Sequence, residues 1–458
     1  MRIKISILAL ILVFLTTSGF GCKTVNKKTK DAMQPITIEY WRVYDGEDAF
    51  EEIIQKYNAL HPFITIKYKK LRYSEYEQEL LNAFAEDRGP DIFSIHNTWI
   101  RKYQTKIIAM PESISMVYPI EQGTIKKEVI PEMRTTKSIT LKDLKSKFVD
   151  VVYDDVVIDN QVYGLPLSVD TLAMFYNRDL LNNANITEVP KYWNREFQQD
   201  IKKLTKQDTR KGIIQSGVAL GGSTNIERFS DIISVLMMQN GSTMLDNGQV
   251  MFQTVPTNAR GTSYNPGLEA LRFYTDFSNP AKEVYCWNQD LSPSLEMFSQ
   301  GNLAIMFGYS YHIPMIQAQA PKLNFSVAPL PQIEGNSATI NFANYWVEVV
   351  SKKSKYLNEA WDFIQFITAG EQAKIYLEQT KKPTALRSLV DGQKDDTEIG
   401  VFAEQVLTAK SWYKGQNPGA AETAIGEIIT DAIKGEELKK ALEIGANKVQ
   451  QTIKQTNE

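Results

Sequence analysis

Cysteine and histidine are the scarce residues of this chain: two cysteines, Cys22 and Cys286, and three histidines occur in 458 residues. One pair of distant thiols makes no disulfide framework, so the fold must be held by burial. The motifs that those residue types build are missing too. HExxH, GxSxG and metal-spaced Cys/His clusters do not occur, which leaves little material for a zinc site or a nucleophilic triad. Paired carboxylates such as Asp154-Asp155 exist, but among 54 acidic residues they arise by chance. Glycoside hydrolysis also needs a particular carboxylate separation that a sequence does not display. The chain therefore reads as a non-enzyme without a metal or cofactor. A basic excess is absent as well. The formal charge of −3 offers no electrostatic footprint for nucleic acid.

Long apolar runs are lacking except at the start. Arg2 and Lys4 lead into an apolar stretch from Ile5 to Leu15 with one serine, and small residues follow from Thr16 to Gly21. That order is the charge, apolar core and small-residue boundary of a secretory signal, residues 1–21. The core is shorter than the roughly 20 residues needed to span a bilayer, and no second run of that length follows. Gly21-Cys22 resembles the end of a bacterial lipobox, in which the cysteine is acylated as the new N-terminus, although Gly19 stands where leucine is usual. Cys22 is then the lipidation site and membrane anchor, and Cys286 has no partner. Removal of Arg2 and Lys4 takes the formal charge to −5. Residues 22–35 carry Lys23, Lys27, Lys28 and Lys30 with almost nothing apolar, and read as a flexible tether outside the cytoplasm.

What remains is long enough for two domains. Ile36, Ile38 and Tyr40 alternate as in a strand, and Phe50, Ile53, Ile54 and Tyr57 then recur at helical spacing until His61-Pro62. Ile64, Ile66 and Tyr68 form a second strand. Tyr73, Tyr76, Leu80, Leu81 and Phe84 mark a second helix face, and Gly89-Pro90 turns into the strand Asp91 to Ile95. This βαβαβ order predicts a parallel sheet with a ligand crevice at the strand carboxyl ends, Trp41 to Gly46 and His96 to Trp99. Further helix faces fall at Ile232 to Leu236, Leu268 to Phe273, Ala360 to Ile367 and Ala421 to Ala432.

The segment Tyr163-Gly164-Leu165-Pro166-Leu167-Ser168-Val169-Asp170-Thr171, with Met174-Phe175-Tyr176-Asn177-Arg178-Asp179-Leu180-Leu181 after it, resembles the signature of family 1 extracellular solute-binding proteins, the maltose-receptor-like group. Asn58 to Pro62, Gly89 to Ile92, Phe298 to Met306, Ala328 to Pro331 and Glu359 to Ile364 match the family in order and approximate spacing, covering nearly the whole mature chain. The resemblance implies a type II periplasmic-binding-protein-like α/β fold. It has two lobes, each a sheet flanked by helices, joined by two or three hinge strands with the ligand between them. The expected division is 36–170 plus 308–338 for the first lobe and 171–307 plus 339–458 for the second. It further implies a monomer that captures a carbohydrate by hinge closure and passes it to the permease subunits of an ABC importer. A peptide or polyamine cargo, or service to a membrane sensor, stay open as alternatives.

A sugar presents C–H faces and a hydroxyl edge, so its receptor needs flat aromatic walls and planar hydrogen-bonding groups. Asp170 matches the family's acidic ligand position. Trp41, Arg42, Tyr44 and Asp45 end the first strand, and His96 and Trp99 follow the third. Gly221 to Asn225 fits neither the GxGxxG nor the GxxxxGK[ST] phosphate spacing, so a tight turn presenting Asn225 is expected. Tyr309 and Tyr311 flank Ser310, on which a stacking tryptophan of relatives falls, and this leaves open which ring stacks. Asn344, Tyr345 and Trp412 complete the candidate set. With Ser310 and Glu422-Thr423 where maltodextrin-binding members carry aromatics, the resemblance implies the fold and not that ligand.

Overall fold

The computed structural model describes residues 27–122, 128–256 and 264–453. The predicted signal, residues 1–21, and Cys22 lie outside these described residues. No helix among them is long and apolar enough to cross a membrane. Part of the expected tether is folded: Lys27–Asp31 forms a short helix against the strand Glu128–Lys137, and its Thr29 is buried.

The βαβαβ start appears as read. Strand Ile36–Val43 pairs in parallel with Ile64–Leu71 and Ile92–His96, and helices Glu51–Leu60 and Tyr73–Ala85 make the crossovers. Trp346–Ser351 then inserts antiparallel beside Ile92–His96, with Ile107–Ile108 at the edge. Alternate side chains of these strands meet the helices in a first core containing Ile38, Tyr40, Phe93, Ile95, Val347 and Trp361. Buried among them, Arg42 bridges Asp45 and Glu348, both at 3.3 Å.

A second sheet orders as Lys206–Asp208, Gly212–Val218, Leu303–Gly308, Ala173–Asn177 and Phe325–Ala328. Its core gathers Phe175, Ile232, Leu271, Trp287, Phe298 and Ile429. Asparagines start its helices: Asn194, Asn265 and Asn417 each accept a backbone N–H of the first turn, and proline follows the last two at the first helical position.

The return segments are exchanged relative to the sequence expectation. Residues 308–338 stay with the second sheet, because Phe325–Ala328 pairs with Ala173–Asn177. Residues 339–458 divide instead, since Trp346–Ser351 joins the first sheet while helices Pro418–Ile433 and Leu438–Ile453 pack in the second core. The chain therefore crosses between the sheets at three places. The crossings form one small sheet, Ala409–Lys410 beside Asn341–Asn344 beside Asp170–Thr171, with Asn344 opposite Asp170.

Candidate functional site

Where the first sheet's strands end, the backbone must leave the sheet, and it does so at Tyr44 with a left-handed φ of 67°. That turn throws the Tyr44 ring outward. It stacks on Tyr73, centroids 5.8 Å apart at 18°, and both rings are more than half exposed at 53% and 56%. Trp346 meets them edge-on at 6.0 and 6.1 Å and also touches His96 and Trp99. The result is a continuous aromatic wall on one side of a cleft of about 1270 Å³.

The opposite wall belongs to the second sheet's half. Tyr311, 42% exposed, stacks on His312 at 4.2 Å, and Arg228 stands nearby at the start of helix Phe229–Gln239. Arg228 adopts a left-handed φ of 58° and forks onto Asp231 at 2.6 and 2.8 Å. Glu422 projects from the first turns of Pro418–Ile433, and burial raises its carboxyl above the ordinary range. Asp170, Ser310, Asn344 and Tyr345 make the floor, where the crossings run.

Asp170 accepts from the Ser310 hydroxyl at 2.6 Å and backbone amide at 3.0 Å, and from the Thr171 amide at 2.8 Å. Burial pushes this carboxyl up to about 6, and the Ser310 and Thr171 hydrogen bonds offset only part of that. His96 moves the other way. Burial, with Arg228 across the cleft, lowers it to about 4, so it is a neutral imidazole at neutral pH. At Asp45 burial alone would raise the carboxyl, but Arg42 and Lys382 outweigh it and hold it below the usual range.

Of the sequence candidates, Arg42, Tyr44, Asp45, His96, Trp99, Asp170, Tyr311, Asn344, Tyr345 and Trp412 all line the cleft. They do so in different ways. Arg42 and Asp45 are locked with Glu348, Tyr376 and Lys382, and the Tyr345 hydroxyl donates to Asp155 at 2.7 Å. Trp412 is mostly core, its Nε1 donating to Ser234 at 3.0 Å. Three candidates stand elsewhere. Trp41 points to the opposite face of its strand from Arg42, into the first core under the Lys69 ammonium. Asn225 is consumed internally, accepting from Trp287 Nε1 and donating to the carbonyls of Asn288 and Leu291. Its loop is packed, for at Gly221, with φ +100°, a Cβ would lie 2.4 Å from Ser278 Oγ. Tyr309 is fully buried with its hydroxyl on Asp231 at 2.7 Å, so Tyr311 is the accessible ring of the pair.

Sequence reasoning missed Tyr73, Arg228 and Asp231 as cleft residues, and used Glu422 only as a position where the resemblance implies an aromatic. Tyr73 was assigned to a core-facing helix stripe, although it starts a helix just beyond a strand's carboxyl end, the same signal that located Tyr44. Arg228 carried no local signal, because its place depends on contacts remote in sequence.

Several known proteins are similar to this chain. A binding protein of Brucella abortus is 23% identical over 324 residues, covering 69% of this chain and 68% of the relative. A maltodextrin-binding protein of Bacillus subtilis is 24% identical over 318 residues, covering 67% and 70%. The crystal structure of a cyclic alpha-maltosyl-1,6-maltose binding protein from Arthrobacter globiformis superposes with a TM-score of 0.71 at 17% identity, covering 92% of this chain and 99% of that one. That likeness extends to the fold. The bacterial extracellular solute-binding protein family matches residues 45–374, most of the chain, and the protein belongs to that family.

Proposed function

We propose that the cleft binds a carbohydrate, an oligosaccharide in preference to a single sugar, and that the protein delivers it to the permease subunits of an ABC importer. The aromatic wall of Tyr44, Tyr73 and Trp346 facing Tyr311 carries the reading. Exposed flat rings on both sides suit the C–H faces of sugar rings, each ring contact adding about 0.5–1.5 kcal/mol by analogy with aromatic pairs. Asp170 and Asn344 on the floor and Arg228 on the wall supply polar groups for hydroxyls. The cleft exceeds the roughly 300–1000 Å³ of an ordinary small-ligand pocket, which suits several linked rings. The names of the Bacillus and Arthrobacter relatives point the same way. Binding without covalent chemistry is the proposed activity.

Lipid on Cys22 would keep the receptor beside its permease, since two or more acyl chains hold stably where one is marginal. Mass spectrometry of the mature N-terminus tests this part, and an unmodified Cys22 in membrane-bound protein would remove the anchor. For the ligand, a thermal-shift screen of oligosaccharides, peptides and polyamines is decisive, because a ligand of the native state raises the melting midpoint. Saccharides should raise it; a rise confined to peptides or polyamines would replace the reading.

A further inference from the structure

Beyond the edge strand Ile107–Ile108, the first lobe carries a two-stranded arm, Ser113–Gln122 paired antiparallel with Glu128–Lys137, that joins neither five-stranded sheet. The arm is fastened to its lobe. The Tyr118 hydroxyl donates to Asp362 at 3.2 Å, the His61 ring lies 3.1 Å from the Val117 carbonyl oxygen, and the Ser138 amide donates to the Glu112 carbonyl at 3.0 Å. Ile114, Met116 and Tyr118 alternate onto the first core, which leaves Val117 on the other face. Val117 is nevertheless only 2% exposed. A strand face turned from the core stays dry only under a cover, and a helix lies against the partner strand: Lys27–Asp31 packs on Glu128–Lys137, with Thr29 buried. Residues 32–35 then lead straight into the strand Ile36–Val43.

Chain geometry turns this seat into a constraint. Only residues 23–26 separate Cys22 from the seated helix, so the Cα atoms of Cys22 and Lys27 stand at most about 18 Å apart at roughly 3.6 Å per residue. A tether loose as far as Ile36 would reach about 50 Å. Three lysines against one aspartate make the helix cationic, the sign that anionic headgroups attract. Among the described residues, none of the arm or of the helix lines the cleft.

We propose that the arm is the membrane-facing surface of the receptor: it seats the helix Lys27–Asp31 and so holds the first lobe, arm side down, against the phospholipid surface that carries the acylated Cys22. The proposal rests on the lipid anchor at Cys22. Hinge closure then moves the second lobe against a first lobe that the bilayer holds in place, and the cleft stays clear of the anchor.

The test is energy transfer from a dye on Thr136→Cys, at an exposed position of the arm, to labelled headgroups in vesicles of phosphatidylglycerol and phosphatidylethanolamine carrying the mature lipoprotein. Cys286 is fully buried and the Cys22 thiol is acylated, so the dye has one target. A flexible Gly/Ser insert of about ten residues adds roughly 17 Å of reach. Placed between Asn26 and Lys27 it lengthens the leash and should lower transfer at least twofold. Placed between Gln34 and Pro35, behind the seated helix, it should change transfer far less. Equal losses from the two inserts would overturn the proposal, because a loose tether lengthens alike wherever it is extended. Thr29→Asp puts a charge into the seat and should make the two inserts equivalent. Hydrogen exchange in the soluble chain lacking Cys22 reads the seat by itself: slow exchange over residues 27–33 that becomes fast in Thr29→Asp supports it, and exchange already fast in the wild type overturns it. A wild type that mass spectrometry finds unacylated and that leaves the vesicles defeats the anchor reading and the orientation with it; an acylated wild type with equal insert losses defeats this proposal only.

Discussion

At Asp170 two effects oppose each other. Burial favours the neutral acid and hydrogen bonds from Ser310 and Thr171 favour the carboxylate, leaving it at about 6. A ligand hydroxyl that donates to this group prefers the ionised form, so saccharide affinity should fall as the pH drops through about 6. Asp170→Asn should lower affinity at pH 7.5 and flatten that profile, as titrations at several pH values would show. Stability carries the opposite sign: a carboxyl raised above its unfolded value stabilises the fold most at low pH, and that contribution is lost as the pH rises through about 6. The aromatic residues separate by exposure. Tyr44→Ala, Tyr73→Ala and Tyr311→Ala should each weaken saccharide binding by about 0.5–1.5 kcal/mol or more without a large change in melting point. Trp41→Phe should leave affinity unchanged, because Trp41 packs in the first core. Tyr44 was legible from sequence because the carboxyl end of a strand is predictable. The burial of Trp41 and Tyr309 was not, because the side of a strand or turn on which an aromatic lies is settled by what packs against it.

Among the elements, the strand Trp346–Ser351 carries the largest electrostatic stake. Its Glu348 is fully buried against Arg42 at 3.3 Å and accepts from Ser94 at 2.7 Å. Removing one partner of a buried ion pair costs about 3–5 kcal/mol, so Glu348→Ala should lower the urea midpoint strongly. Ligand affinity of the protein that remains folded should change far less. Asn417→Ala removes the cap of Pro418–Ile433 and should cost about 1 kcal/mol. The alternating and helical patterns revealed the early strands and helices because those elements are consecutive and amphipathic. The return segments were misassigned because a strand such as Trp346–Ser351, buried on both faces, carries no alternation to show which sheet it enters. Its partners, Ile92–His96, lie far back in the chain. Asn225 failed for a related reason: a glycine-rich turn announces a bend but not whether its side chains face a cleft or a core.

For the whole molecule, three crossings gathered into one small sheet define where the lobes can bend. Asp170 of one crossing holds Ser310 at the exit of another strand, so the floor of the cleft and the hinge share atoms. A ligand that contacts both aromatic walls is favoured by the closed arrangement, and differential affinity is what shifts such an equilibrium. Small-angle scattering should therefore show a smaller radius of gyration when a saccharide is added, and no change with Tyr44 and Tyr311 both replaced by alanine. The two-lobed architecture was legible through the run from Tyr163 to Leu181, whereas the identity of the cleft-facing residues needed the packing of remote segments. The central claim is that the cleft between these lobes selects carbohydrate. Isothermal titration of the mature protein against malto- and galacto-oligosaccharides, a peptide mixture and spermidine measures it directly: the account predicts one-to-one binding of an oligosaccharide, and binding confined to peptides or spermidine would contradict it.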